Sequence, residues 1–112
     1  MHHSGPHGLD SWALLGRFPS GLEEYDEYPT TLIIARRGRI IRRIQGDPFV
    51  WTWMFTPDGR RVAYESGPLH FGLQCVLVDI GSGRRIDDYD CYRQLPDDAP
   101  NWAKTLESNR DR

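Results

Sequence analysis

The alternation of apolar and polar positions predicts a chain built mainly from β-strands. Residues 30–35 read Thr-Thr-Leu-Ile-Ile-Ala, a compact β-branched strand, and residues 39–44 return after a turn at Gly38. Two such strands joined by a glycine that can take a positive φ are typical of a β-hairpin. A second turn, Gly-Asp-Pro at 46–48, then leads out of the hairpin.

The most apolar segment, 49–55, reads Phe-Val-Trp-Thr-Trp-Met-Phe. Its odd and even positions are both mostly apolar, which predicts a strand buried on both faces. The next residues, Thr-Pro-Asp-Gly at 56–59, predict a type I turn that ends in a left-handed glycine. The return strand places Val62 and Tyr64 on one face and Ala63 on the other.

Two further strands, 73–80 and 84–90, follow the irregular loop 66–72 and are joined by Gly-Ser-Gly at 81–83. Beyond them the spacing becomes helical. Asp97 or Asp98 can cap a helix that runs to about residue 108. The apolar stripe of that helix consists of Trp102, Leu106 and Ala103.

The first 29 residues carry weaker signals. Residues 1–8 hold three His, two Gly and a Pro, which predicts a flexible arm. Asp10 and Ser11 can cap a short helix, which Gly16 and Pro19 would stop early. The apolar side chains on that helix are Trp12, Leu14 and Leu15.

Together these elements predict one mainly β domain: an antiparallel sheet of about six strands with a helix at its C-terminal end. We expect an arm and connection over 1–29, the sheet over 30–95 and the helix, packed on the sheet, over 96–112. Segment 49–55 needs cover on both faces, and one short helix covers little. That shortfall favours a homo-oligomer.

Composition bears on partners rather than on a reaction. The formal net charge is −2, so no global charge points to nucleic acid or to an anionic membrane. No apolar run approaches the roughly 20 residues of a membrane span. The N-terminus shows no secretory signal, so we expect a cytoplasmic protein or an exported one whose signal has been removed.

Segment 55–64, Phe-Thr-Pro-Asp-Gly-Arg-Arg-Val-Ala-Tyr, resembles the signature of the TolB-type (PD40, WD40-like) β-propeller repeat. Segment 75–84 is similar to the third strand and following turn of that repeat, and 32–44 looks like the end of a preceding blade. The resemblance implies about one and a half blades and a role in binding proteins or peptides, without catalysis. Because a propeller needs about four to eight blades, the chain is expected to be a self-contained sheet, a sheet-sharing oligomer or a fragment.

Two charged groups are candidates for chemistry. Glu65, His70 and Asp79 could form an acid/base or ligand-binding set of a hydrolase-like site, although a loop histidine often only bonds backbone. Five arginines on one hairpin could grip a polyanion, or could form a solvated edge that blocks aggregation. These arginines are Arg36, Arg37, Arg39, Arg42 and Arg43. No nucleophile motif and no metal-ligand spacing appears in the folded part, so neither a metal nor a cofactor is expected.

Aromatic side chains on the strands could line a partner-binding groove, or could belong to the core. The candidates for the groove are Trp51, Trp53 and Tyr64, with His70 and Phe71 from the adjoining loop.

The two cysteines, Cys75 and Cys91, fall on neighbouring strands. If Ile80 pairs with Arg84, then Cys75 faces Tyr89 and the cysteines are diagonal neighbours on one face. A disulfide is compatible with that register, and so are two small buried thiols.

The leading hypothesis is a non-catalytic module for protein interaction or self-association. Its mechanism would be the recruitment of a partner, or of a second copy, by apolar sheet faces and unpaired strand edges.

Overall fold

Eight strands, one turn of 3-10 helix and one α-helix make up the fold in a computed structural model, which describes residues 2–19, 25–68, 73–91 and 95–110. The strands are β1 His2–Ser4, β2 Leu9–Pro19, β3 Tyr25–Arg36, β4 Arg39–Gln45, β5 Phe49–Phe55, β6 Arg61–Gly67, β7 Gln74–Asp79 and β8 Arg85–Asp90. The 3-10 turn is Pro6–Gly8, and the helix, α1, is Asn101–Arg110.

The strands form two antiparallel sheets, each with its strands in chain order. The first sheet contains β1 to β4 and the second contains β5 to β8. The prediction of a mainly β, antiparallel fold with a C-terminal helix is confirmed. The expected single sheet of about six strands is wrong in its count, because the N-terminal residues add two strands to the predicted hairpin and complete a sheet of their own.

The short N-terminal helix is also wrong, since its residues belong to β2. β2 lies between β1 and β3, and Trp12 is paired with His2 on one side and with Ile33 on the other. Leu9 and Ser11, two positions apart, both point towards the core and are almost fully buried. Backbone pairing on both sides of β2 outweighs the weak local helix signal, so the predicted arm is partly replaced by strand.

Two apolar clusters lie on opposite faces of the second sheet. The first cluster fills the space between the sheets and the second lies beneath α1. β6 shows the alternation: Val62 and Tyr64 belong to the first cluster and Ala63 to the second, as predicted. The first sheet and α1 therefore cover the second sheet from its two sides.

The turn between β5 and β6 has the predicted form. Gly59 has a φ of 71° and donates its N–H to the Thr56 carbonyl at 2.9 Å. A Cβ atom at Gly59 would lie 3.0 Å from Cδ2 of His7, so both backbone conformation and space favour glycine.

The C-terminal helix begins at Asn101, slightly later than predicted. Ala103 and Leu106 are fully buried against the second sheet, and Trp102 donates its indole N–H to Asp87 Oδ2 at 3.1 Å. In the described part of the chain, no helix has the length and apolar character needed to cross a membrane.

Cys75 and Cys91 form a disulfide with a Cα–Cα distance of 5.7 Å. The register prediction is confirmed, because Cys75 is paired with Tyr89 and the Cys91 N–H donates to the Leu73 carbonyl. The turn itself differs from the expected one: Val78 pairs with Arg85, and one extra residue in β8 restores the register before the cysteines. The bond therefore joins diagonal positions of β7 and β8.

Candidate functional site

The first sheet has one face turned away from the core, which we call the outer face. Its central strand, β3, directs Leu32 and Ile34 into the core, so Ile33 and Ala35 between them belong to the outer face. Strand pairing then assigns the neighbouring positions. The outer face comprises His2, Ser4, Asp10, Trp12, Leu14, Thr31, Ile33, Ala35, Ile40, Arg43 and Gln45.

The outer face has an apolar centre and carries exposed aliphatic side chains away from that centre. Leu14 on β2 is 44% exposed and Ile40 on β4 is 43% exposed, and Trp12, two positions before Leu14, is half-buried. Ile33 is only 1% exposed, because Trp12 and Arg43 are its paired neighbours on β2 and β4. The outer face therefore combines a closely packed centre with accessible aliphatic side chains.

Two strands of the outer face, β2 and the edge strand β4, carry side chains of opposite charge. On β2, the Asp10 carboxylate lies 2.5 Å from Nε2 of His2. The hydrogen bond from His2 is the main cause that lowers the pKa of Asp10 below its usual value, so the carboxylate stays ionised under mildly acidic conditions. On β4, Arg43 places a guanidinium group on the same face, one strand beyond Ile33.

The aromatic groove expected on the second sheet is wrong for two of its members. Trp53 and Tyr64 are 2% and 4% exposed, because the first sheet packs on that side of β5 and β6. Trp51 is half-buried and donates its indole N–H to the Gly67 carbonyl at 2.8 Å. His70 and Phe71 lie outside the described residues.

The five hairpin arginines do not form one surface. Arg42 points towards the second sheet and donates to the carbonyls of Ile80 and Gly81 at 2.9 and 2.8 Å. Arg43 lies on the outer face, whereas the pair Arg36 and Arg39 closes the β3–β4 ladder at the turn. The predicted polyanion site over 36–43 is therefore divided, and Arg36 and Arg37 line a separate cleft between the sheets.

The candidate acid/base set is also divided. Glu65 is fully buried beside Cys75, whereas Asp79 is paired with Arg61 at the other end of the β6–β7 ladder. Four positions along a strand correspond to about 14 Å, so the two carboxylates do not share a site. His70 again lies outside the described residues, and among the described ones no cluster of His, Cys, Asp or Glu could hold a metal ion.

Sequence reasoning missed the outer face because it assigned Trp12 and Leu14 to a helix. One signal could have revealed the outer face. Residues 9–14 alternate between two sets, one of Leu9, Ser11 and Ala13 and one of Asp10, Trp12 and Leu14, and such alternation is also the pattern of a strand.

Comparisons of the chain with protein-family models, with curated proteins and with solved structures found no match. The resemblance to the TolB-type repeat stays a prediction.

Proposed function

We propose that this protein is a non-catalytic interaction module that self-associates through the outer face of its first sheet. The observation that carries the proposal is the exposure of Leu14, next to Trp12, and of Ile40 elsewhere on the same face of the first sheet, against which no other described element packs. Both faces of the second sheet, in contrast, are packed against other parts of the chain. Exposed large apolar side chains that share one face of a small domain are a common feature of interaction sites.

The distribution of charge favours a second copy as the partner. In a face-to-face dimer whose two-fold axis runs parallel to β3, β4 of one copy lies over β2 of the other. Arg43 of each copy would then approach the strand that carries Asp10 in its partner. An isologous interface needs this kind of self-complementarity, and two-fold dimers are the commonest oligomers.

The expected affinity is modest. Completing the burial of one partly exposed Leu or Ile side chain contributes about 1 kcal/mol, so four such side chains in a dimer contribute about 4 kcal/mol before the costs of association. Trp12 and the charged side chains add to that sum. A net association free energy of about 4 kcal/mol corresponds to a dissociation constant of about 1 mM, so we expect a weak dimer.

The first test is sedimentation velocity from about 10 µM to about 1 mM, a range whose upper end reaches the expected dissociation constant. The wild-type protein should pass from monomer to dimer. A Leu14→Ser/Ile40→Ser double variant should stay monomeric. Ile86→Ser is the matched control, because Ile86 is 41% exposed but lies on β8 of the second sheet, and it should dimerise as the wild type does.

A charge exchange tests the geometry of the dimer. Arg43→Asp and Asp10→Arg should each weaken the dimer, and combining them in one chain should restore it, because each variant charge then meets its opposite. A wild-type protein that is monomeric at every concentration would overturn the proposal. So would an Ile86→Ser variant as impaired as the double variant, because the contact would then involve the second sheet.

A further inference from the structure

A cleft of about 700 Å³ lies at the end of the molecule where turns from both sheets meet. Its volume is within the range of small-molecule sites. Three arginines, Arg36, Arg37 and Arg60, line it, and Ile41 and Ile80 form an apolar part of its wall. None of these residues belongs to the outer face, so the cleft is separate from the proposed dimer surface.

Backbone hydrogen bonds between different turns hold the cleft open. The Arg37 N–H donates to the Gly8 carbonyl at 3.1 Å, which ties the β3–β4 turn to the 3-10 turn. The Ile80 N–H donates to the Arg60 carbonyl at 2.9 Å, which joins the ends of β7 and β6. Arg42 bonds the Ile80 carbonyl from the first sheet. Hydrogen bonds therefore join the turns and strand ends that form the walls of the cleft.

In the described part of the chain, the guanidinium groups of the cleft are not bonded to other side chains, although the charge of Arg60 acts on the nearby Asp58 carboxylate. Among the described residues, the guanidinium groups of Arg36, Arg37 and Arg60 make no hydrogen bond and no ion pair. Two carboxylates also line the cleft, but each is bonded within its own turn. Asp58 accepts from Thr56 Oγ1 and from the Arg60 N–H, and Asp79 accepts from the Ser82 N–H and hydroxyl.

Backbone strain is concentrated at the same place. Within the described ranges, only two residues other than glycine have a positive φ, His7 at 58° and Arg37 at 52°, and both line the cleft. Each such conformation costs on the order of 1–3 kcal/mol and persists only where the surroundings enforce it. Here the strained backbone holds an imidazole and a guanidinium group at the cleft.

We infer that this cleft binds a small phosphate monoester, with the phosphate held by Arg36, Arg37 and Arg60 and its organic part resting against Ile41 and Ile80. Three guanidinium groups present more donors than one carboxylate can accept, whereas a phosphate offers three strong acceptor oxygens. Asp58 and Asp79 beside the cleft disfavour a long polyanion, whose further phosphates would have to pass them. A compact ligand with one phosphate fits both features.

The test is an isothermal titration with glucose 6-phosphate, with inorganic phosphate and with glucose as probes. Glucose 6-phosphate should bind more tightly than inorganic phosphate, and glucose should not bind. Arg36→Gln and Arg60→Gln should each weaken glucose 6-phosphate binding about tenfold, as expected for the loss of a charge-assisted hydrogen bond. Arg43→Gln, the same charge change on the outer face, should alter binding less than about twofold.

An NMR titration locates the site and monitors folding, because the Gly59 and Gly81 amides at the cleft should shift while amides of the outer face should not. An absence of binding would overturn the inference. Equal weakening by Arg43→Gln and Arg60→Gln would do so too, because it would reveal a general attraction to anions. Heparin binding that is lost in Arg43→Gln but kept in Arg60→Gln, without binding of glucose 6-phosphate, would instead assign a polyanion surface outside the cleft.

Discussion

Ser11 is a single polar side chain that connects three parts of the core. It is fully buried, accepts a hydrogen bond from the Trp53 indole N–H at 2.8 Å and donates one to the His3 carbonyl at 2.8 Å. The His3 ring also meets the Trp53 ring edge-on, with centroids 4.8 Å apart. One hydroxyl therefore links β1 and β2 to the second sheet.

Replacing Ser11 by Ala should destabilise the protein by about 1–3 kcal/mol, because the Trp53 N–H and the His3 carbonyl would lose a buried partner. Urea unfolding measures the change. Ser4→Ala, at an exposed position of β1, is the control and should stay within about 0.5 kcal/mol of the wild type. An equally stable Ser11→Ala protein would contradict the structural role of this hydroxyl.

The loss of stability at low pH can be tested at a single residue, Asp79. Hydrogen bonds from the Ser82 hydroxyl and N–H lower the pKa of Asp79 below its usual value of 3.8. The stability that this carboxylate adds is present above that unfolded value and is lost as the pH falls through the lower folded value. The melting temperature of Asp79→Asn should therefore fall less steeply with acidification below pH 4 than that of the wild type.

The control for that experiment is Asp97→Asn, because Asp97 is exposed and its carboxylate makes no hydrogen bond within the described residues. The melting temperature of Asp97→Asn should fall with acidification as that of the wild type does. If the melting temperatures of Asp79→Asn and the wild type fell equally steeply below pH 4, the hydrogen bonds of Asp79 would add no pH-dependent stability.

Some residue conformations follow from the sequence and others do not. The left-handed Gly59 follows from Pro57 and Asp58 before it, because these residue types preset the turn. The left-handed His7 and Arg37 could not be predicted, since a positive φ is uncommon for any residue other than glycine, even for His, and here depends on the surrounding structure.

At the scale of elements, the disulfide fixes the edge strand β8 to β7. Both cysteines are buried, and the bond closes a loop with a sequence separation of 16 residues. β8 is otherwise largely exposed and carries several aspartates, so few apolar contacts hold it in place. The bond thus reinforces the least buried strand of the second sheet.

A Cys75→Ala/Cys91→Ala variant should lose about 3 kcal/mol of unfolding free energy, because the unfolded chain gains the freedom of the opened loop. Guanidinium unfolding of both proteins, with and without reductant, measures this loss. Reductant should destabilise the wild type and leave the variant unchanged. A variant within about 1 kcal/mol of the oxidised wild type would contradict the prediction.

The sequence predicts β5 to β8 well but misses β2, for one physical reason. Each strand of the second sheet has a strong apolar pattern or a turn of defined chemistry beside it, and both are local signals. β2 has a weaker pattern, and its second and third residues, Asp10 and Ser11, are types that also cap helices. Its conformation depends on β3, whose pairing residues lie up to 27 positions away, as between Leu9 and Arg36.

At the scale of the molecule, the two sheets and the helix form three layers, and the second sheet is the middle one. The sequence indicates that segment 49–55 needs cover on both sides but does not reveal what supplies it. Alternation assigns a side chain to a face without naming the neighbour on that face. For the same reason Trp53 could be read as either core or partner surface.

The two sheets differ in how many of their faces are covered within one chain, and this difference supports the proposed dimer. The middle sheet is complete within one chain, whereas the outer face of the first sheet offers Leu14 and Ile40 to solvent. The cleft lined by Arg36, Arg37 and Arg60 opens at the end of the layers. A ligand bound there would therefore not compete with the proposed dimer for the same residues.

The core between the sheets is made of segments that are synthesised at different times. Leu32 and Ile34 leave the ribosome well before Val76 and Val78, which belong to the same apolar cluster, since β7 ends 34 residues after β4. At the usual pace of translation, that delay amounts to about 2–7 s. During this interval the nascent first sheet displays an apolar surface that chaperones can recognise, and a pause in translation between β4 and β7 would prolong the exposure.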